Sequence, residues 1–262
     1  VRGFEPEYLR RTRRGMWEER GALDGLRLDE AERVLDVGCG NGEFTRVLAD
    51  GCDGEVVGYD FDDSHLCDVR DALGVPVVRG DARALPFADG SFGVVACQAL
   101  LVNLREPGRA VEEFARVSSS RVACVEPDNS SVTVESTVEG ESGLARESRR
   151  LYLEGIDTDP SLGDGAAALL RDAGFDDVTT ARYDHELVVE PPYDGGDVAE
   201  VRRKASGESL RKRRDEMDAS DEELDRLRDD WREVGREAAR QVSEGEYVRR
   251  ETVPFYVVVG EK

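Results

Sequence analysis

The stretch Asp36-Val37-Gly38-Cys39-Gly40-Asn41-Gly42 places three glycines at alternate positions, the first two places after an acidic residue. Glycines let a backbone turn approach a ligand closely, and a helix starting just after them offers free N–H groups. Asp60 comes 18 positions after Gly42. An acidic residue at such a strand end can accept hydrogen bonds from both hydroxyls of a ribose. The spacing Gly-x-Gly-x-Gly differs from the Gly-x-Gly-x-x-Gly that fits a pyrophosphate. Asp36 is placed to meet a cationic group, directly or through a backbone turn. A nucleoside carrying a zwitterionic tail has such a group; a pyrophosphate does not.

These residues need a strand to end at Gly38 and a helix to begin after Gly42. The sequence supplies both. Residues 33–37 are a short apolar strand, and 43–49 continue as a helix. Further strands are expected at 55–59, 75–79, 91–97 and 121–125, with helices at 64–73 and 106–117 between them. Pro76 near the start of the third strand marks an edge. Alternating strands and helices with near-continuous apolar strands imply a parallel sheet covered on both faces. A helix follows at 165–174, a strand at 177–189, charged helices at 197–243 and a last strand at 252–259. Residues 4–24 read as a helix with Tyr8, Leu9, Met16, Trp17 and Leu23 as its apolar positions.

The 262 residues suit one large α/β domain with an insertion. No apolar run approaches the ~18 residues of a membrane span, and Val1 to Arg14 lacks the apolar core of a secretory signal. A cytoplasmic protein is expected. The five cysteines, odd in number and without a CxxC pair, argue against a disulfide framework or a structural zinc site; no metal site is expected. Asp and Glu total 58 against 36 Lys and Arg, a formal charge of −22, and only three of the cations are lysine. An acidic surface poor in lysine suits high intracellular salt, where screening removes most self-repulsion. The same charge argues against nucleic-acid partners.

Val34-Leu-Asp-Val-Gly-Cys-Gly-Asn-Gly42 resembles motif I of the class I S-adenosylmethionine-dependent methyltransferases. Other stretches resemble that class in order: 56–60 its ribose-binding strand, 80–82 and 85–92 its adenine-contacting loop and fourth strand, 113–117 and 122–127 the next helix and strand, and 169–175 the helix before strand six. The likeness spans about residues 30–190 and the last strand, and is strongest to the ubiquinone/menaquinone C-methyltransferase branch. It implies a Rossmann-like, doubly wound, mostly parallel seven-stranded sheet with an antiparallel last strand and a helical insertion. As a single methyltransferase domain, 1–262 would divide into an N-terminal helical segment (1–30), a cofactor-binding core (31–189), an insertion that could cap the site (190–250) and a final strand (251–262). The implied cofactor is S-adenosyl-L-methionine. Asp36, Gly38, Cys39, Gly40 and Gly42 would frame its methionine end, Asp60 its ribose, Phe61 and Ala82 its adenine ring, and Asp81 its amino group. Gln98 would lie near the donor sulfur. Gly93 departs from the class, which carries an acidic residue there.

The catalytic residues and the methyl acceptor, expected to be a small molecule, are not legible. Cys39 reads as loop filler, His65 as a surface residue at a helix start, and His185 as solvated or structural. Glu126 and Asp128 stand equally as substrate contacts or loop structure, and Arg10 to Arg14 as a solvated face. Tyr8 and Trp17 read as core. Leu224, Leu227 and Trp231 form an apolar stripe in the insertion that must bury against something: its companion helix, a second copy in a homodimer, or the mouth of the cleft. Two rival functions stay open, a methyltransferase fold that binds cofactor without turnover and a nicotinamide-dependent oxidoreductase. The charge yields its own test. Thermal melts across a KCl series should show the melting temperature rising from low to molar salt; a flat or falling series contradicts the high-salt reading.

Overall fold

The computed structural model describes residues 12, 13, 15–212 and 214–262, and the chain divides into two units. The first unit comprises Val1–Asp128, Thr158–Asp184 and Pro254–Lys262; the second comprises Asn129–Asp157 and His185–Val253.

In the first unit β1 (Arg33–Val37), β2 (Glu55–Asp60), β3 (Val77–Arg79), β4 (Phe92–Gln98) and β5 (Ser118–Pro127) alternate with α1 (Glu43–Gly51), α2 (Asp63–Leu73) and α3 (Pro107–Val117). β6 (Thr133–Ser136) and α4 (Glu141–Glu154) come next, then α5 (Ala166–Asp172), β7 (Asp177–Val189), α6 (Gly195–Ser206), α7 (Glu208–Lys212), α8 (Asp221–Glu244) and β8 (Arg249–Glu261). The strands of the first unit lie in the order β3-β2-β1-β4-β5-β8, with β7 also on β8. β1 pairs in parallel with β2 and β4, and β5 with β4, while β8 runs antiparallel to β5. β3 is the edge that Pro76 marked. The doubly wound α/β fold is therefore as expected, with one strand more. β6 pairs antiparallel with the start of β8 inside the second unit. Its four residues bury on neither face completely, so they carry too little apolar signal to be read as a strand.

Parallel strands covered on both sides must be apolar throughout. Val34, Leu35, Val37, Val94, Val95, Val122 and Cys124 are all buried accordingly, with Phe114, Val117 and Leu170 packed over them. Gly93 sits where the β4–β5 register shifts, the position glycine takes at a bulge. The loop 85–89 is fastened to α3 from two sides. Glu113 Oε2 accepts from the Leu85 N–H at 2.7 Å, and the Arg116 guanidinium donates to the carbonyls of Leu85 and Phe87. Lys262 Nζ donates to the Ala115 and Ser118 carbonyls at 2.6 and 2.7 Å, closing the end of the same helix.

The expected helix over 4–24 is corrected where it is described. Residues 12 and 13 are helical, 15–17 turn, and 3-10 turns cover Gly21–Leu26 and Leu28–Glu30. Gly15 has φ of 70° and Arg27 is left-handed, both breaks in a right-handed helix. Met16, Trp17 and Leu23 are buried as read; Tyr8, Leu9, Arg10, Arg11 and Arg14 lie outside the described residues.

In the second unit α8 starts at a capping box, Ser220 with Glu223. Its buried Leu224, Leu227, Val234 and Ala238 recur at helical spacing. Val234 and Ala238 join Val138, Val189, Val201 and Tyr247 in one core, with Trp231 against it. Gly235 allows a close helix crossing, because a Cβ there would lie 2.2 Å from the Ala205 nitrogen of α6. The Trp231 indole donates to Ser148 Oγ of α4 at 2.7 Å. Trp231 of the apolar stripe is thus packed within its own unit, and Leu224 and Leu227 are buried.

Beside this core lies a buried charge cluster. Glu141 is fully buried and accepts from Lys204 Nζ at 2.7 Å, Ser136 Oγ at 2.6 Å and the Tyr247 hydroxyl at 3.0 Å, with Arg249 Nε at 3.4 Å. Burial pushes the Glu141 carboxyl up, but the Lys204 charge and its hydrogen bond lead the groups that bring it below the usual range. Its folded pKa is therefore below the unfolded one, so its stabilising contribution holds above the usual carboxylate range and is lost as pH falls through the folded value. Removing one partner of such a pair leaves an uncompensated charge. Lys204→Met should lower stability by about 3 kcal/mol, read by urea denaturation followed by far-ultraviolet circular dichroism at constant KCl; a change below about a third of that would show the cluster to be slack.

Candidate active site at the sheet switch point

Chain order reverses between β1 and β4, so the carboxyl ends of these neighbouring strands are a topological switch point, the crevice position at which open α/β sheets bind ligands. Gly38, Gly40 and Gly42 follow β1 with φ of 76°, 51° and 83°, left-handed values that side chains resist. Space enforces the same choice. A Cβ on Gly38 would lie 2.9 Å from Leu100 Cδ1, and one on Gly42 would lie 3.0 Å from Val69 Cγ2.

The loop is tied to β2. The Gly38 and Cys39 N–H groups donate to the Tyr59 carbonyl, and the Gly40 N–H donates to Asp60 Oδ2 at 2.9 Å. The other Asp60 oxygen accepts from the Asp62 N–H at 2.9 Å. Cys39 is buried, and burial ahead of the Asp36 and Asp60 charges pushes its thiol well up, so it fills space as read. His65 corrects the sequence reading. It is buried, with Nδ1 4.0 Å from Asp60 Oδ1, because it lies on the inward face of α2 with Leu66 and Val69.

Asp36 is fully buried inside β1. Oδ2 accepts from Thr45 Oγ1 at 2.6 Å, while Oδ1 has no hydrogen-bond partner. Burial, more than the nearby Asp60 charge, raises its carboxyl to about 7 against the pull of Thr45. A buried carboxylate oxygen without a donor is costly, and a cationic group near the loop would relieve it. The donor set therefore fits a ligand with an ammonium.

Phe61, next after Asp60, is the large hydrophobic that stands exposed among the described residues, at 58%. The Arg79 guanidinium lies 5.7 Å from its ring centre. Asp81 and Ala82 follow Gly80, where a Cβ would collide with the Tyr59 hydroxyl at 2.0 Å. That hydroxyl donates to the Asp81 carbonyl at 3.1 Å; burial and then the Asp81 and Glu113 charges raise it to about 12. The Asp81 carboxylate is held by Arg83 through Nε at 3.0 Å and Nη2 at 2.7 Å, and this hydrogen bonding lowers its pKa. A ligand amino group would have to share Asp81 with Arg83, which the sequence reading did not include.

Gln98 ends β4 with both amide atoms engaged. Its nitrogen donates to Met16 Sδ at 2.9 Å, and its oxygen is 3.4 Å from the Trp17 indole nitrogen. Trp17 stacks on Tyr183, ring centres 5.3 Å apart, and leans on Phe44 at 5.7 Å. Ala99 then turns left-handed with φ of 49°. Glu126, fully buried, accepts from the Leu100, Leu101 and Val102 N–H groups at 3.1, 2.9 and 3.2 Å. It pins the turn after β4 and is structural, although burial raises its carboxyl to about 7 against those three bonds. His185 is buried too, so the structural half of its reading holds. Sequence reasoning missed Thr45, Arg83 and the contacts of Met16 and Trp17 to Gln98. Arg83 had a local signal, two places from Asp81; the others depend on packing.

Comparison with known proteins agrees with this geometry. Residues 35–125 match the family described as methyltransferase domain. Over these residues the chain is similar to known methyltransferases. It is 40% identical over 111 residues to a demethylmenaquinone methyltransferase of Renibacterium salmoninarum, covering 42% of this chain and 44% of that protein. A demethylmenaquinone methyltransferase of Staphylococcus aureus is 34% identical over 128 residues, 45% of this chain and 52% of that protein. The chain thus spans about half the length of the curated relatives it matches. A methyltransferase candidate of Bacillus halodurans shares the fold at a TM-score of 0.52 and 17% identity, covering 92% of this chain and 98% of that one. Among the described residues no helix is long and apolar enough to cross a membrane.

If Asp36 meets a ligand ammonium, its unpartnered oxygen should make that binding pH-dependent. Its folded carboxyl ionises near 7, and only the ionised form attracts an ammonium. S-adenosylhomocysteine affinity should therefore rise between pH 6 and 8, and Asp36→Asn should flatten the rise. Calorimetry at constant salt checks this; an equal slope in the variant would remove Asp36 from the site.

Proposed function

We propose that the chain transfers the methyl group of S-adenosylmethionine to a small-molecule acceptor. The observation that carries this reading is the glycine loop at the switch point, tied to Asp60 and lying beside a buried carboxylate oxygen that lacks a donor. Asp36 and the Gly38–Gly42 backbone would hold the methionine end of the cofactor. Asp60 would accept from the ribose, keeping its bond to the Gly40 N–H. Phe61 offers an exposed ring for the adenine, with Ala82 and Asp81 along its edge. The cofactor, when bound, supplies an electrophilic methyl group.

The protein's part is placement and exclusion of water. Gln98, already gripped by Met16 and Trp17, would fix the wall of the crevice beside the donor sulfur. Glu126 and His185 are both buried, and an amine, thiolate or activated carbon acceptor needs no general base. The similarity to the curated relatives covers less than half of this chain, so their demethylmenaquinone is an acceptor to try first, not one assigned to this chain.

The test is transfer of a labelled methyl group into a metabolite extract and into demethylmenaquinone, with products identified by mass. A labelled small molecule is expected. Asp60→Ala should weaken S-adenosylhomocysteine binding by about 1.5–3 kcal/mol, the usual loss for hydrogen bonds to a charged group. Binding without any labelled product would favour a sensor or scaffold, and NAD(P)H binding without S-adenosylhomocysteine heat would favour an oxidoreductase.

A further inference from the structure

Against a net charge of −22, residues 202–214 run the other way. Arg202, Arg203, Lys204, Arg211, Lys212, Arg213 and Arg214 face one acidic residue, Glu208, within that stretch. Two of the chain's three lysines are among them. Lys204 is explained by the buried Glu141, and Arg214 by Asp221 and Asp225 at 2.7 and 2.8 Å. Of the others, Arg211 lies at a cleft, where two arginines of α8 join it. A cavity of about 320 Å³ lies where the corner between α6 and α7 meets α8, lined by Ser206, Gly207, Glu208, Arg211, Arg228 and Arg232.

The corner clears the stems of two of these arginines. Gly207 has φ of 67°, and a Cβ on it would lie 2.7 Å from Arg228 Cγ and 3.3 Å from Arg232 Cγ. The arginines are loosely paired. Arg228 is 3.3 Å from Asp225 and 3.5 Å from Asp229, and Arg232 is 3.6 Å from Asp229, all within α8. Among the described residues Arg211 has no ion-pair partner. A guanidinium offers five N–H donors in a planar fork that matches the oxygens of a phosphate. Three of them around one cleft therefore hold more donors than their single-contact pairs can use.

We propose that this cleft, within the second unit and separate from the glycine-loop crevice, binds a phosphate-bearing ligand, with Arg211, Arg228 and Arg232 as its grip. The choice of phosphate follows from the acids nearby. Glu208 on the wall and Asp225 and Asp229 behind it would repel a single carboxylate about as strongly as one guanidinium attracts it. A phosphate brings close to two charges and three acceptor oxygens, so it can displace loose carboxylate contacts and bridge two guanidinium forks. The phosphate could come from a soluble metabolite or from a lipid headgroup, and the chemistry at the cleft is the same for both. The inference does not depend on the methyltransferase reading.

The test uses the full chain in KCl at a fixed concentration that keeps it folded. Inorganic pyrophosphate is titrated by calorimetry into the natural protein, into Arg211→Gln and Arg232→Gln, and into Arg150→Gln as a control in α4. One saturable site is expected, weakened at least tenfold in the first two variants and unchanged in the control, with S-adenosylhomocysteine affinity equal in all four. Phosphatidylcholine vesicles with and without phosphatidic acid form the second arm. Capture that needs phosphatidic acid and is lost in Arg211→Gln assigns the phosphate to a lipid; pyrophosphate binding without capture assigns it to a soluble ligand. No saturable binding in either arm, or equal binding by the natural chain and both cleft variants, would overturn the proposal.

Discussion

The crevice depends on one carboxylate held by two backbone donors. Asp60 ends β2, yet it accepts the Gly40 N–H from the loop after β1 and the Asp62 N–H at the start of the next helix. A parallel sheet fixes its strands but leaves the loops at their carboxyl ends to be positioned by other means. Here the same residue that would read a ribose also sets the shape of the loop beside it. Binding surface and scaffold are one group, so the loop can be held ready without extra residues. The three left-handed glycines are a consequence, because no other residue turns that sharply while leaving room for Leu100 and Val69.

Charge is managed differently at each depth. On the outside, acidic residues dominate and many arginines are engaged in short local pairs. Among the described residues three carboxylates are fully buried, and each has a different remedy. Glu126 is satisfied by three backbone N–H groups, Glu141 by a lysine, a tyrosine and a serine, and Asp36 by one threonine alone. The first two are complete structural features. The third is half-finished, and it is the one at the crevice, where an incomplete group is what a ligand can complete.

Much of the first unit was legible because its signals are local. Apolar strands, a glycine-rich turn and an acidic strand end lie close together in the chain, so residues 33–126 could be read element by element. What escaped depends on contacts distant in sequence. Nothing near Thr45 announces that it caps Asp36, and Met16 and Trp17 reach Gln98 across more than eighty positions. The helix expected over 4–24 does not persist where it is described: Met16, Trp17 and Leu23 are buried as read, but Gly15 turns left-handed and Gly21–Leu26 is a 3-10 turn. β6 was missed because a four-residue strand buried on neither face leaves no pattern. The stripe on α8 was correctly seen to need a partner, but which surface would cover it was decided by Gly235 and the close approach of α6.

The two tryptophans have a use beyond packing. Trp17 belongs to the first unit and Trp231 to the second. One indole is stacked on Tyr183 and touches Gln98; the other is hydrogen-bonded to Ser148. Replacing either by phenylalanine leaves a single tryptophan, excited selectively at the red edge of the absorption, in a known unit. The molecule therefore carries its own pair of optical reporters, one beside the crevice and one in the helical unit, able to show whether the two melt together or in sequence.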